Sequence, residues 1–147
     1  MVASLGDAFP AADREGFANR NIVIGAVLKT FTNHTSPPKE KRFIIVGIKG
    51  NSVGVIFINS SPNIPPKLLP FLYKLELAGR EAYLDWESYA DCNNIYEWGL
   101  DELKRMVAIN PTVFLDIISD HDLAIILRLI KTSPNNDYKT LEKFGIV

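Results

Sequence analysis

The chain lacks the features that mark several large protein classes. It has one cysteine, Cys92, among 147 residues, so no internal disulfide can form and a reducing compartment such as the cytoplasm is expected. It has no basic start followed by an apolar run, and no uninterrupted stretch of about 18 apolar residues. The sequence therefore predicts neither a secretory signal nor a membrane span.

Common signatures of catalysis and metal binding are also missing. The two histidines, His34 and His121, do not combine with the lone cysteine into a zinc-binding spacing. There is no glycine-rich phosphate loop, nucleophile elbow or His-Glu-x-x-His motif. Asp85, Glu87 and Asp91 form an acidic cluster that could hold a metal, although a solvated strand edge is the simpler interpretation. We expect no metal and no cofactor.

What is present is an apolar chain with unevenly distributed charge. Apolar residues make up 47% of the sequence, which excludes a disordered chain. The net charge of −1 argues against a protein that coats nucleic acid non-specifically. Residues 1–60 carry seven Lys/Arg and four Asp/Glu (+3), whereas residues 61–147 carry nine and thirteen (−4). The N-terminal part can therefore carry a local basic surface.

The hydrophobic pattern predicts an α+β fold in which the strands precede the helices. Strands are expected over residues 22–31, 43–49, 53–59 and 71–77, with one or two more between 83 and 98. Gly50-Asn51, between two apolar runs, predicts a tight hairpin. Short strands in one meandering segment are expected to curl into a small barrel, because closing the sheet removes exposed edges.

From Leu100 onward the apolar residues follow a helical period. We expect a second helix capped by Asn110, with its apolar face in residues 113–118, and a third over residues 120–131 behind Ser119. The charges of residues 120–122 suit a helix N-terminus. One domain is predicted, with residues 1–20 as an arm or short helix, 21–98 as the barrel, 99–131 as helices and 132–147 as a mobile tail.

Over residues 22–131 the chain resembles the MazF/PemK family of toxin ribonucleases. In that family Gly-Asp opens the first strand, Arg-Pro opens a strongly apolar strand, the next strand ends in Thr, and an Asp-led segment precedes the final helices. The corresponding segments here are Gly25-Ala26-Val27, Arg42-Phe43, Asn59-Ser60-Ser61, residues 89–95 and residues 118–131. Ala26, Phe43 and Ser60 stand where the family has Asp, Pro and Thr.

The resemblance implies an SH3-like barrel with C-terminal helices, acting as a metal-independent endoribonuclease on single-stranded RNA. Arg42 would be catalytic, because its guanidinium fork matches two phosphate oxygens, and Ser60 would supply a second donor. The RNA-binding residues would be Lys39, Lys41, Lys49, His34 and Phe43, with Phe31 as an alternative to Phe43 for stacking a base. Because the ordinary pKa of a histidine side chain suits proton transfer near neutral pH, His34 would also be a candidate to move a proton. A homodimer, an antitoxin protein as partner and a cytoplasmic location are implied as well.

Two other functions stay open at this point. In one, the chain is a catalytically inactive SH3-like barrel, of phage or mobile-element origin, that binds protein or nucleic acid. The replaced Asp and Pro favour this interpretation. In the other, a viral or mobile-element protein uses the barrel to capture a small ligand.

Overall fold

The computed structural model describes residues 11–32 and 39–147, including the side chains of residues 13–30 and 40–147. The helices are α1 (Ala11–Asn21), α2 (Leu100–Ile109), α3 (Asp120–Thr132) and α4 (Tyr138–Lys143), with 3-10 turns at Pro66–Phe71 and Pro111–Val113. The strands are β1 (Ala26–Thr32), β2 (Lys39–Lys49), β3 (Ser52–Asn59), β4 (Leu72–Leu75), β5 (Ser88–Asp91), β6 (Tyr96–Gly99) and β7 (Phe114–Ile117).

Within the described residues the seven strands form one antiparallel sheet that curls into a half-barrel. Its order is β4-β5-β3-β2-β1-β7, and β6 pairs with the first part of β3. The central hairpin turns at Gly50-Asn51, with Lys49 paired to Ser52, as predicted. The expectation of an α+β fold with a curled sheet is thus confirmed.

Both faces of the central strands are buried. Along β2, Ile44 belongs to a core cluster that also contains Ile126 of α3, whereas Phe43 and Ile45 belong to a second cluster with Leu103 of α2. Successive residues of a strand point to opposite faces, so a strand buried on both sides reads as a continuous apolar run. This arrangement explains why β2 from Phe43 onward and β3 read as nearly continuous apolar runs.

The predicted second C-terminal helix is wrong. Asn110 does act as a cap, and its side chain accepts a hydrogen bond from the Thr112 amide, but the turn that follows is a short 3-10 helix. The chain then extends as β7, which pairs with β1. The apolar residues at 113–118 are compatible with either structure. The segment 114–117 forms a strand because pairing with the open edge of β1 satisfies backbone groups that would otherwise stay unbonded.

The predicted mobile tail is also wrong. Residues 138–143 form α4, capped by Asp137, and Phe144 behind it is 3% exposed. Its ring packs where Gly47 and Gly54 are paired across β2 and β3, and a Cβ on Gly54 would lie 2.8 Å from that ring. The glycine pair therefore forms the slot that holds the C-terminal segment against the sheet.

Several element boundaries also differ from those predicted. β1 begins at Ala26, after Gly25 adopts a positive φ of 97° at the turn from α1. β2 begins at Lys39, so the predicted loop over residues 32–41 is too long. The predicted strand at 83–84 is a turn, while Ser119 caps α3 as expected by accepting from the Asp122 amide. Of the two alternatives predicted for residues 1–20, an arm or a short helix, the described part of that segment forms the helix α1.

Candidate functional site

Arg42 lies near the start of β2, at one end of the sheet. The register places it opposite Lys29 of β1 on one side and Ile58 of β3 on the other. Residues directly opposite each other in an antiparallel sheet project to the same face. Arg42 therefore has a basic neighbour and an apolar neighbour on its own face.

Arg42 is one of the residues that line a cleft of about 290 Å³. Ile58 and Leu84 contribute a buried apolar floor, and Trp86 stands beside it with 60% of its surface exposed. The lining residues are Glu40, Lys41, Arg42, Ile58, Ser60, Leu84, Asp85, Trp86 and Ser88. The cleft thus combines an accessible aromatic ring with cations, hydroxyls and two carboxylates.

Arg42 forms an ion pair with Asp85 in this cleft, with Nη2 2.7 Å from Oδ2. The Arg42 side chain is 25% exposed and that of Asp85 is 60% exposed. An ion pair this open to water contributes at most about 1 kcal/mol. A phosphate could therefore replace the Asp85 carboxylate on the guanidinium at little cost.

Trp86 is the functional candidate that sequence reasoning missed. It lies in the turn before β5, between Asp85 and Glu87, and the buried Ser88 hydroxyl donates to its carbonyl oxygen over 3.0 Å. That bond holds the turn against the start of β5 while the indole stays in solvent. The available signal was a large aromatic residue flanked by two acidic ones in a loop, a part of the chain where functional side chains are often found.

A second cleft, of about 430 Å³, adjoins the first at the end of β3. It is lined by Lys41, Asn59, Ser60, Ser61, Pro62, Asn63 and Ile64. Lys41 and Ser60 line both clefts. The Lys41 ammonium donates to the Asn59 side-chain carbonyl and lies 5.7 Å from the centroid of the Phe57 ring. These contacts hold the charge of Lys41 at the boundary between the clefts.

The structure brings three of the residues predicted to act on RNA to one place. Lys41 and Arg42 are neighbours in β2, Ser60 directly follows β3, and all three line the first cleft. The pairing of β2 with β3 brings them together.

Two other predicted contacts do not reach the cleft. The prediction that Phe43 stacks a base is wrong, because its ring is fully buried and stacks on Trp98 with centroids 5.7 Å apart. Lys49 lies at the opposite end of β2, where its ammonium donates to the Glu142 carbonyl over 3.1 Å.

Three predicted residues cannot be placed. His34 lies outside the described residues. The side chains of Phe31 and Lys39, both in strands, lie outside the described part of the chain as well.

The three acidic residues considered as metal ligands each contact a different partner. Asp85 pairs with Arg42, Glu87 lies 3.5 Å from the Lys74 ammonium, and the buried Asp91 carboxylate accepts from the Asn93 amide and the Asn94 side chain. Residues 11–32 and 39–147 contain no group of three or more His, Cys, Asp or Glu side chains that could hold a metal ion. The burial of Asp91 also contradicts a simple solvated edge.

A second Arg–Asp pair lies away from the cleft. Arg80 holds Asp122 through Nε and Nη2, each 2.9 Å from a carboxylate oxygen, and the Tyr73 hydroxyl donates to the same carboxylate over 2.7 Å. Burial opposes ionisation of Asp122, but the hydrogen bonds from Arg80 and Tyr73 outweigh it, so the pKa of Asp122 is lowered. Asp122 is therefore a buried anion, and not only one of the helix-terminal charges that the sequence predicted.

Two further groups are unsuited to chemistry at neutral pH. Burial raises the pKa of the Cys92 thiol to about 12, and burial together with the Asp122 carboxylate raises that of Tyr83 to about 12. The thiol therefore supplies almost no thiolate nucleophile. His121 is exposed on α3 and does not line the cleft.

Comparisons with protein-family models, with curated proteins and with solved structures gave no significant match to this chain.

In the part of the chain that the structure describes, every helix is too short or too polar to cross a membrane.

Proposed function

We propose that this protein binds single-stranded RNA in the Arg42 cleft and cleaves it without a metal ion, as the resemblance to MazF/PemK toxins implies. The observation that carries the proposal is that Arg42 and Ser60, predicted as the catalytic pair, line one open cleft beside an exposed tryptophan. An SH3-like barrel, a homodimer, an antitoxin partner and a cytoplasmic location belong to the same proposal.

Trp86 would bind a base of the RNA. Its indole is accessible from solvent, and a base stacked on an aromatic ring contributes about 1–3 kcal/mol without regard to sequence. Bases in a duplex hide their faces in the stack, so a lone exposed ring selects single strands. Lys41 at the edge of the cleft would add attraction to the backbone.

Arg42 would stabilise the transition state of strand cleavage. The ribose 2′-oxygen attacks the adjacent phosphorus, the bond to the 5′-oxygen breaks, and the products are a 2′,3′-cyclic phosphate and a 5′-hydroxyl. The guanidinium and the Ser60 hydroxyl would donate to the phosphoryl oxygens, where negative charge builds up. Asp85, which contacts Arg42, would accept the 2′-hydroxyl proton and return it to the leaving oxygen.

A binding module without cleavage is the second candidate. The Arg42–Asp85 ion pair favours it, because the carboxylate neutralises the guanidinium that cleavage needs. None of the residues that the structure places around the cleft is a histidine, the usual proton carrier at neutral pH. Such a module would bind RNA in the same cleft and release it intact.

The test uses purified protein and a labelled single-stranded RNA of mixed sequence, in buffer containing EDTA. Wild type is expected to shorten the RNA, and mass spectrometry of the fragments should find the 2′,3′-cyclic phosphate. Arg42→Ala should slow cleavage by about 100- to 1000-fold, the usual effect of removing one donor to a developing oxyanion. The matched control is Arg105→Ala, which removes an exposed arginine from α2 and should leave the rate unchanged.

The outcomes separate the two candidates. RNA that is bound with a salt-dependent affinity but stays intact for hours would favour the binding module and reject cleavage. RNA that is neither bound nor cut would reject both. Cleavage that Arg42→Ala does not slow would show a nuclease contaminant or a site elsewhere on the chain.

A further inference from the structure

We infer that the second cleft is a phosphate subsite, which holds the backbone phosphate next to the nucleotide bound at Trp86. The inference rests on the proposed function, because it takes single-stranded RNA as the ligand of the first cleft. It assigns different parts of one nucleotide chain to the two clefts, base and reacting phosphate to the first and a neighbouring phosphate to the second.

The charge of the lining residues separates the two clefts. Glu40 and Asp85 line the first cleft, so its cations Lys41 and Arg42 face two carboxylates. Among the residues that the structure describes, those lining the second cleft are the cation Lys41 and uncharged residues. A phosphate that must stay bound through the reaction is therefore repelled less in the second cleft.

The polar groups of the second cleft are suited to a phosphate. Ser60 and Ser61 provide hydroxyls, Asn63 provides a side-chain amide, and all three residues are exposed. The Asn59 carbonyl holds the Lys41 ammonium at the edge of this cleft, where its positive charge attracts a phosphate oxygen. Pro62 and Pro65 restrict the loop, which lowers the entropy lost when it orders around a ligand.

The two clefts are neighbours. Lys41 and Ser60 line both, so an RNA backbone that leaves the first cleft past Ser60 can enter the second. The first cleft offers apolar surface at Ile58, Leu84 and Trp86, which suits a base and its sugar. The second cleft has the more polar lining, so we assign the neighbouring phosphate to the second cleft and the base to the first.

The test is fluorescence anisotropy with a fluorescein-labelled, eight-nucleotide RNA in which every sugar is 2′-O-methylated, so that cleavage cannot occur. Affinity is measured over a series of salt concentrations. Removing one phosphate contact from a single strand should reduce the slope of log K against log salt by about 0.7. Lys41→Gln is expected to show this reduction, whereas Lys49→Gln, a change of equal charge at the other end of β2, should not.

Asn63→Asp provides a second variant. It places a carboxylate in the cleft at an exposed position of nearly equal size, and it should weaken binding most at low salt. Circular dichroism and thermal melts verify that all three variants fold. Because Lys41 lines both clefts, Asn63→Asp tests the second cleft by itself. If wild type binds and either Lys41→Gln matches Lys49→Gln in slope or Asn63→Asp binds as tightly as wild type at low salt, the second subsite is wrong while the proposed function stands. If wild type does not bind this RNA at any salt concentration, the proposed function and the subsite fall together.

Discussion

Two Arg–Asp pairs of nearly equal length occupy opposite environments in this molecule. Arg42 and Asp85 are 2.7 Å apart in an open cleft, and the Asp85 side chain is 60% exposed. Arg80 and Asp122 are 2.9 Å apart, and the Asp122 side chain is 4% exposed. The first pair contributes little to stability and can exchange its carboxylate for a ligand. The second cannot be broken without leaving a charge buried.

The position of each pair in the fold matches this difference. Asp122 lies in the first turn of α3, directly after β7, while Tyr73, which also binds it, lies in β4. These strands are the two ends of the sheet, so the buried pair ties the ends of the half-barrel together. The Arg42–Asp85 pair lies instead in the open first cleft. The Arg80–Asp122 ion pair therefore holds the ends of the sheet together, whereas the Arg42–Asp85 ion pair leaves its cleft accessible.

The largest expected effect comes from breaking the buried pair. Arg80→Ala leaves the Asp122 carboxylate buried without its cation and should lower the free energy of unfolding by about 3–5 kcal/mol. Arg42→Ala removes the same atoms from the open pair and should cost less than about 1 kcal/mol. Urea unfolding followed by circular dichroism measures both. Equal losses in the two variants would contradict the contrast.

An aromatic pair tests the same contrast between a buried and an open region. Phe144 fills the slot at Gly47 and Gly54, so Phe144→Ala should lower the free energy of unfolding by about 3–5 kcal/mol. Trp86→Ala should change it by no more than about 0.5 kcal/mol and should instead weaken RNA binding. Chemical denaturation and anisotropy distinguish the two losses. A stable Phe144→Ala variant would mean that the C-terminal segment contributes little to the core.

The pH dependence of stability should show how much the Arg80–Asp122 pair contributes to folding. Because the pKa of Asp122 is lower in the folded chain than in the unfolded one, its contribution is complete above the ordinary aspartate pKa of about 4 and is lost as the pH falls through the folded value. Melting temperatures of wild type should therefore fall below about pH 4 more steeply than those of Asp122→Asn.

The acid-induced loss should not vanish entirely in Asp122→Asn. A hydrogen bond from Lys143 lowers the pKa of Glu97, so that exposed carboxylate adds a smaller loss over the same range. Acid slopes that are identical in wild type and variant would show that Asp122 is not the dominant group.

The smallest effect is expected at the open pair itself. Asp85→Asn removes the carboxylate that competes for Arg42, so the uncleavable RNA should bind up to about fivefold more tightly at low salt, the equivalent of an exposed ion pair. The gain should disappear in an Arg42→Ala background. If Asp85 also accepts the proton, the same variant should cleave more slowly while binding more tightly, and a tighter binder with unchanged cleavage would remove Asp85 from the chemistry.

Local sequence signals were sufficient for part of the fold and of the site. The hairpin at Gly50-Asn51 was predictable because only a tight turn joins two adjacent apolar runs, and Ser119 was predictable as a cap because its hydroxyl satisfies an amide of the first helical turn. The pairing of β2 with β3 then brings Arg42 and Ser60 together. That part of the candidate site was accessible because it depends on one short hairpin.

The rest depended on contacts distant in sequence. The segment 114–117 became a strand because β1 offers an edge, and residues 138–144 became ordered because two glycines leave a slot for Phe144. Trp86 became a candidate site residue only when its turn was placed beside Arg42. Asp137 caps α4 locally, but neither that cap nor a hydrophobic period predicts these long-range contacts.

Turn geometry, alternation and capping act over a few residues, so local sequence was sufficient to predict the sign of the charge near the hairpin, the central strands and the cap of α3. Which arginine is buried and which is open depended on long-range packing. The two Arg–Asp pairs join residues 43 and 42 positions apart, and burial depends on the surfaces that surround them after folding. An Arg–Asp pair therefore joins the two ends of the sheet at Asp122, and another leaves an accessible cleft at Asp85.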